Sequence, residues 1–284
     1  MYTLENQELT VFLLDPVADV ARLGSRYCCG GYIYQVADAV KGNLLSGPQY
    51  PDPEPDVFDG QGAPDMFNVA LGAEDAPVGG EVGCIGVGRA RRTSPVEPFS
   101  ARHNPQVIEF APWEVSQTAE TITMQTEHAF QDWAYRLLRE VTLAGRAVHS
   151  RTEIHSLGQA VLPVRWFPHP FFPLTGDDVL CRFSSPISLP DNPGFWLNDD
   201  GFICRKPDHD WPKGCFQALE YEKTGQGLTI LQRHPTLGQV TTVIDYQPSF
   251  LPIWGNHRTF SFEPYLDHRL DPGQSAAWRV DYQF

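Results

Sequence analysis

Turn signals recur along this chain about every eight to twelve residues, and short runs rich in β-branched and aromatic residues stand between them. A helix of ordinary length has no room between such signals, so the chain is confined to short strands. From Leu9 to Leu45 the strand formers are Val11, Leu13, Tyr32, Ile33, Tyr34 and Val36, punctuated by Gly30-Gly31 and Lys41-Gly42-Asn43. The glycine pair fits neither G-x-G-x-x-G nor the P-loop spacing. It reads instead as a bulge or a close approach of backbone. Strands dominate again from Val107 to Val164, with hairpin points at Gly145 and Ser156-Leu157-Gly158. Ala129 to Glu140 reads as strand with a short helical entry. The expectation is an all-β fold of antiparallel sheets in sandwich form with few short helices. No repeat and no sharp composition break divides it, so residues 1–284 read as one domain.

One stretch departs from that rhythm. Gly47 to Gly83 opens with GPQYPDPEPDVFDGQGAPDMF, a density of proline, glycine and aspartate that predicts a long loop without regular elements. Phe58, Met66, Phe67, Val69 and Leu71 predict that the loop lies over the sheet, and a loop of this length in a compact domain is often functional.

The formal charge of −14 argues against nucleic acid or an anionic membrane as partner. It suits a small molecule, with the protein a monomer or weak homodimer. The first residues, MYTLENQELTVFLLDP, lack a basic segment followed by a small-residue cleavage site, and no apolar run is long enough to span a bilayer. Six cysteines with no C-x-x-C pair predict reduced thiols, a cytoplasmic setting and no zinc site.

The candidate chemistry begins at Pro163–Thr175, PVRWFPHPFFPLT. Prolines on both sides of His169 impose a stiff, extended backbone. Trp166, Phe167, Phe171 and Phe172 wall the imidazole, and an aromatic face suits the apolar face of a sugar ring. Alone, this reads more readily as a core histidine in a Pro/Phe-rich turn. Glu263 stands in FSFEPYL, on a strand otherwise built from aromatics. A carboxyl is costly to bury there unless used, and burial would raise its pKa toward that of a general base. Weaker candidates for substrate contact are His103 in FSARHNPQ, Asp208 (with Asp210 as its rival) and Trp211 in PDHDW, Phe171, and Arg91 from the cluster Arg89, Arg91 and Arg92.

HPFF around His169, the acidic PDHDW and FSFEPY around Glu263, in that order on an all-β background, resemble the aldose 1-epimerase or galactose mutarotase family. The likeness is to its compact members near the hexose-6-phosphate epimerases, and an early G-G-x-I strand adds to it. One departure is Pro168, where the well-known mutarotases carry asparagine. The resemblance implies a β-supersandwich and interconversion of the α and β anomers of an aldose, with Glu263 as base and His169 as acid. It also implies that Asp208 binds a sugar hydroxyl. No metal and no cofactor is implied, because the intermediate is a neutral open-chain aldehyde and only two protons move. The substrate would be a hexose, a hexose phosphate or another derivative.

Two other readings stand beside this isomerase. One is a carbohydrate-binding protein of the same fold without catalysis. The other is a metal-dependent, cupin-like enzyme using His103, His169 and a carboxylate, against which the nine histidines offer no H-x-H pair.

Overall fold

The computed structural model describes residues 1–52 and 58–284. A ten-stranded sheet forms its largest layer. Its centre is built from Thr121–Phe130, Trp133–Ala144, Ala147–Ser156 and the C-terminal strand Ser275–Gln283. Each alternates buried with less buried residues, the period-2 pattern of strands that cover a core with one face. Five smaller sheets pack around it, and every strand pair in the described residues is antiparallel. Among the described residues no helix is long and apolar enough to cross a membrane. All six cysteines are free and buried.

Three local expectations change. The segment Ala129–Glu140 has no helical entry: it is the end of one strand and most of the next, joined by the tight turn Gln131-Asp132, with Gln131 at φ 53°. Its mixture of aromatic and charged residues alternates across the sheet, which a helix would not tolerate. A four-residue helix, Val20–Leu23, interrupts the stretch read as strand from Leu9 to Leu45. The loop from Gly47 to Gly83 also contains regular structure. Asp65–Phe67 is a strand, and Ala70–Leu71 and Glu81–Cys84 join a separate four-stranded sheet. Residues 53–57 of that loop lie outside the described residues.

Gly30 and Gly31 do serve close approach. A Cβ on Gly30 would lie 2.2 Å from the Trp113 ring, and Gly31, at φ 73°, is pressed against Arg139. Arg139 is fully buried and forms a bidentate ion pair with Asp65. That pair ties the ten-stranded sheet to the layer that carries the site.

Two small sheets make that layer. One has the order Leu266–Leu270, Leu162–Pro168, Asp65–Phe67; the other runs Phe172–Pro173, Thr259–Phe262, Pro252–Gly255, Cys215–Ala218. The same two chain segments cross from one sheet to the other. In the first sheet Leu162 lies opposite Leu270 and Trp166 opposite Leu266; in the second, Phe172 lies opposite Phe260. These pairs share one register, so the segments form a single antiparallel ribbon with a gap in its ladder. In that register His169 stands opposite Glu263.

Candidate active site

Proline opens the gap. Pro168, Pro170 and Pro264 carry no N–H, so the ladder cannot continue through them. The remaining donors turn outward: His169 N–H bonds Pro64 O at 2.8 Å, Phe171 N–H bonds Gly62 O at 2.7 Å, and Glu263 N–H bonds Pro252 O at 2.9 Å. Alternation then places residues 167, 169 and 171 on one face of the first segment and 261, 263 and 265 on one face of the second. Phe167 stacks on Tyr265 with centroids 4.2 Å apart. The next pair inward is His169 and Glu263, with Nε2 and Oε1 separated by 3.4 Å. Ser261 Oγ lies 2.8 Å from His169 Nδ1 and fixes the ring from behind.

Both groups are buried, His169 at 3% exposure and Glu263 at 5%. They face a cleft of about 300 Å³, at the lower end of the size that holds a small ligand. The cleft is walled by Phe167, Phe171, Trp254, Phe216 and Tyr265, with Arg26, Asp59, Arg102, Ser100 and Asn68 as polar lining. Arg26 ion-pairs with Asp59, whose other oxygen lies 3.8 Å from the Arg102 guanidinium. Burial pushes the Glu263 carboxyl up to about 7, against a smaller pull from the Arg26 charge. Burial, reinforced by Arg26, holds the His169 imidazole well below its ordinary value. Below about pH 7 the pair therefore holds one titrating proton, on two groups 3.4 Å apart. It can give and take protons on neighbouring oxygens of a single small molecule.

The other sequence candidates fall differently. Phe171 lines the cleft, its ring 4.5 Å from that of His169. Asp208 is exposed and outside the cleft; Asp210 is also exposed, paired with Lys213. Trp211 is buried against Phe195 and beneath the Arg205 guanidinium, away from the cleft. His103 is exposed on the short turn Ala101–His103; its neighbours Ser100 and Arg102 reach the cleft, and it does not. Arg91 bonds Gly79 O, Arg89 ion-pairs with Glu81 and Glu109, and Arg92 bonds Ala73 O and Ala76 O. None of the three lines the cleft.

Several cleft residues carried no sequence signal: Arg26 and Arg102 come from segments that are unremarkable in composition, and nothing set Asp59 apart from the other aspartates of the Pro/Gly/Asp-rich loop. Ser261 and Tyr265 could have been found, since they flank Glu263 at two-residue spacing on the same strand face. Trp254 offered only its aromatic character.

No protein-family model matches the sequence, and no curated protein matches it. Solved structures do match. A galactose mutarotase related enzyme from Lactobacillus acidophilus superposes with a TM-score of 0.63 at 15% identity, over 99% of this chain and 96% of that one. A galactose mutarotase-like protein from Lactobacillus casei gives 0.57 at 11% identity, over 100% and 99%. A galactose mutarotase-like protein from Clostridium acetobutylicum gives 0.53 at 12%, over 99% and 93%. The architecture of paired antiparallel sheets around this cleft is thus the galactose mutarotase-like fold.

Proposed function

We propose that this protein is an aldose 1-epimerase, a mutarotase that interconverts the α and β anomers of a hexose or hexose derivative. The observation that carries this reading is the buried pair of Glu263 and His169, 3.4 Å apart across the gap in one ribbon. The Glu263 carboxylate takes the proton from the C1 hydroxyl while His169, protonated at Nε2, gives one to the ring oxygen. The C1–O5 bond breaks and an open-chain aldehyde forms. Rotation about C1–C2 presents the other carbonyl face, and on closure Glu263 gives its proton to the carbonyl oxygen while His169 takes back the proton of the O5 hydroxyl. Acid–base assistance of this kind is worth about 10² to 10⁴ in rate.

The reaction needs one proton on the pair, placed on His169, and a carboxylate at Glu263. Burial favours that proton on Glu263, and the sugar hydroxyls would supply the polar surroundings that favour the ionised arrangement. Phe167, Phe171 and Tyr265 offer faces for the apolar side of the ring. Arg26, Asp59, Arg102 and Asn68 supply donors and acceptors for the remaining hydroxyls. Two of the similar structures are of galactose mutarotase-like proteins and one is of a galactose mutarotase related enzyme, which agrees with a sugar as ligand.

The test is saturation-transfer NMR on a panel of free aldoses and their 6-phosphates, with wild type and Glu263→Gln. The expected result is accelerated α/β exchange on at least one sugar, abolished in the variant. Absence of acceleration on every sugar, with binding retained, would replace the enzyme by a carbohydrate-binding protein.

A further inference from the structure

A second cavity, of about 410 Å³, lies beside the cleft. Its lining includes Arg22 of the helix Val20–Leu23, the apolar side chains Phe58 and Pro105, and Arg26, Asp59 and Arg102. The last three line the cleft as well, so they form the partition between the two spaces. His169, Glu263 and the aromatic rings of the cleft do not line this cavity. Three arginines thus border one space with a single acidic residue among them, in a chain whose formal charge is −14. Asp59 is shared between Arg26 and Arg102, and among the described residues Arg22 has no carboxylate partner. Tyrosine rings hold two of the guanidiniums, Arg22 over Tyr34 at 5.5 Å and Arg26 over Tyr27 at 4.9 Å. Stacking of that kind fixes the plane of a guanidinium and leaves its N–H edge available to grip an anion.

We propose that this cavity binds an organic phosphomonoester that is not the ligand of the cleft, with Arg22, Arg26 and Arg102 on its phosphate. A phosphomonoester carries close to two negative charges at neutral pH and presents three strong acceptor oxygens. That charge and those acceptors match three arginines of which one carboxylate occupies only part. Guanidinium is also the side chain whose flat fork of donors best fits phosphate oxygens. Phe58 and Pro105 offer an apolar rest for the organic part, and about 410 Å³ lies within the range that holds a small ligand. The site owes nothing to the reaction in the cleft, and it would stand on a protein that only binds sugar.

The experiment is titration calorimetry at an ionic strength of about 0.15 M, where distant exposed charges are screened. The probes are inorganic phosphate, adenosine 5′-monophosphate and glucose 6-phosphate, with singly charged acetate as control. The proteins are wild type, Arg22→Ala and Trp254→Ala, because Arg22 lines this cavity and not the cleft, whereas Trp254 lines the cleft and not this cavity. Arg22 is exposed, so its truncation removes no core contact. At least one phosphate ester is expected to bind wild type more tightly than inorganic phosphate does, and acetate is expected not to bind. Its affinity should fall about tenfold or more in Arg22→Ala, the loss of one charged hydrogen bond, and stay unchanged in Trp254→Ala. Failure of every phosphate to bind wild type overturns the site, and so does equal affinity in wild type and Arg22→Ala. A loss confined to Trp254→Ala overturns it too, since the phosphate would then sit in the cleft as part of a sugar substrate.

Discussion

Replacing Glu263 by glutamine should remove activity and make the protein more stable, by an amount that depends on pH. In the unfolded chain this carboxyl ionises near 4.5, and in the folded protein burial delays ionisation to about 7. Between those values the unfolded state binds fewer protons than the folded state, so stability falls as pH rises. Above about 7 the loss is complete. At about 1.4 kcal/mol per pH unit, the interval from 4.5 to about 7 corresponds to about 3 kcal/mol. Glutamine keeps the shape and carries no titrating group. The difference in melting temperature between Glu263→Gln and wild type should therefore widen from pH 4 to pH 8. At about 2–4 °C per kcal/mol for a chain of this size, the widening is on the order of 10 °C. Thermal unfolding by circular dichroism at half-unit pH steps measures it directly. A difference that stays flat across that range would show that Glu263 ionises in the fold as it does in water. The account of Glu263 as a base poised near neutrality would then fail. A gain in stability with a loss of anomer exchange is the expected mark of a group held at energetic cost for its chemistry.

Three further outcomes follow from the same geometry. The kcat/KM for anomer exchange should fall above pH about 7, as the pair loses its last proton and His169 has none to give; Arg26→Met, which removes a charge that lowers the Glu263 pKa, should move that descent to higher pH. Ser261→Ala removes the partner of His169 Nδ1 and should lower kcat about tenfold with little change in KM, a cost of the order of one hydrogen bond; an equal effect on both parameters would argue against a role in positioning the ring. Asp65→Asn leaves the fully buried Arg139 without its counter-charge and should cost about 3–5 kcal/mol in urea unfolding, whereas a loss under 1 kcal/mol would mean that the two layers are held together by apolar packing alone.

The all-β architecture was legible because strand signals are local: alternation, β-branched residues and turn chemistry each act within a few positions. The errors arose where local signals overlap. Ala129–Glu140 mixes aromatic and charged residues in a way that imitates an amphipathic helix, and only pairing with the partner strand reveals the period of two. Asp65–Phe67 hides behind a proline-rich front, yet it needs just three residues to pair with the strand leading to His169. PDHDW has the composition of a sugar contact, but Trp211 there is spent on packing against Phe195 and Arg205.

His169 and Glu263 drew notice for the same reason that they meet. Each is a polar residue set among aromatics and next to proline, and proline beside a strand both stiffens the chain and breaks its ladder. What no local signal contains is register. One shared register runs through the sheets on both sides of the break, from Trp166 opposite Leu266 to Phe172 opposite Phe260, and the same count aligns His169 with Glu263. A slip of one residue would turn one of the two side chains to the other face of the ribbon. The prolines forbid the ladder hydrogen bonds at the site itself, so the alignment there depends on the intact pairing above and below. The unbonded gap is thus where the two side chains have room to face a ligand, and the flanking ladders are what keep them opposite each other.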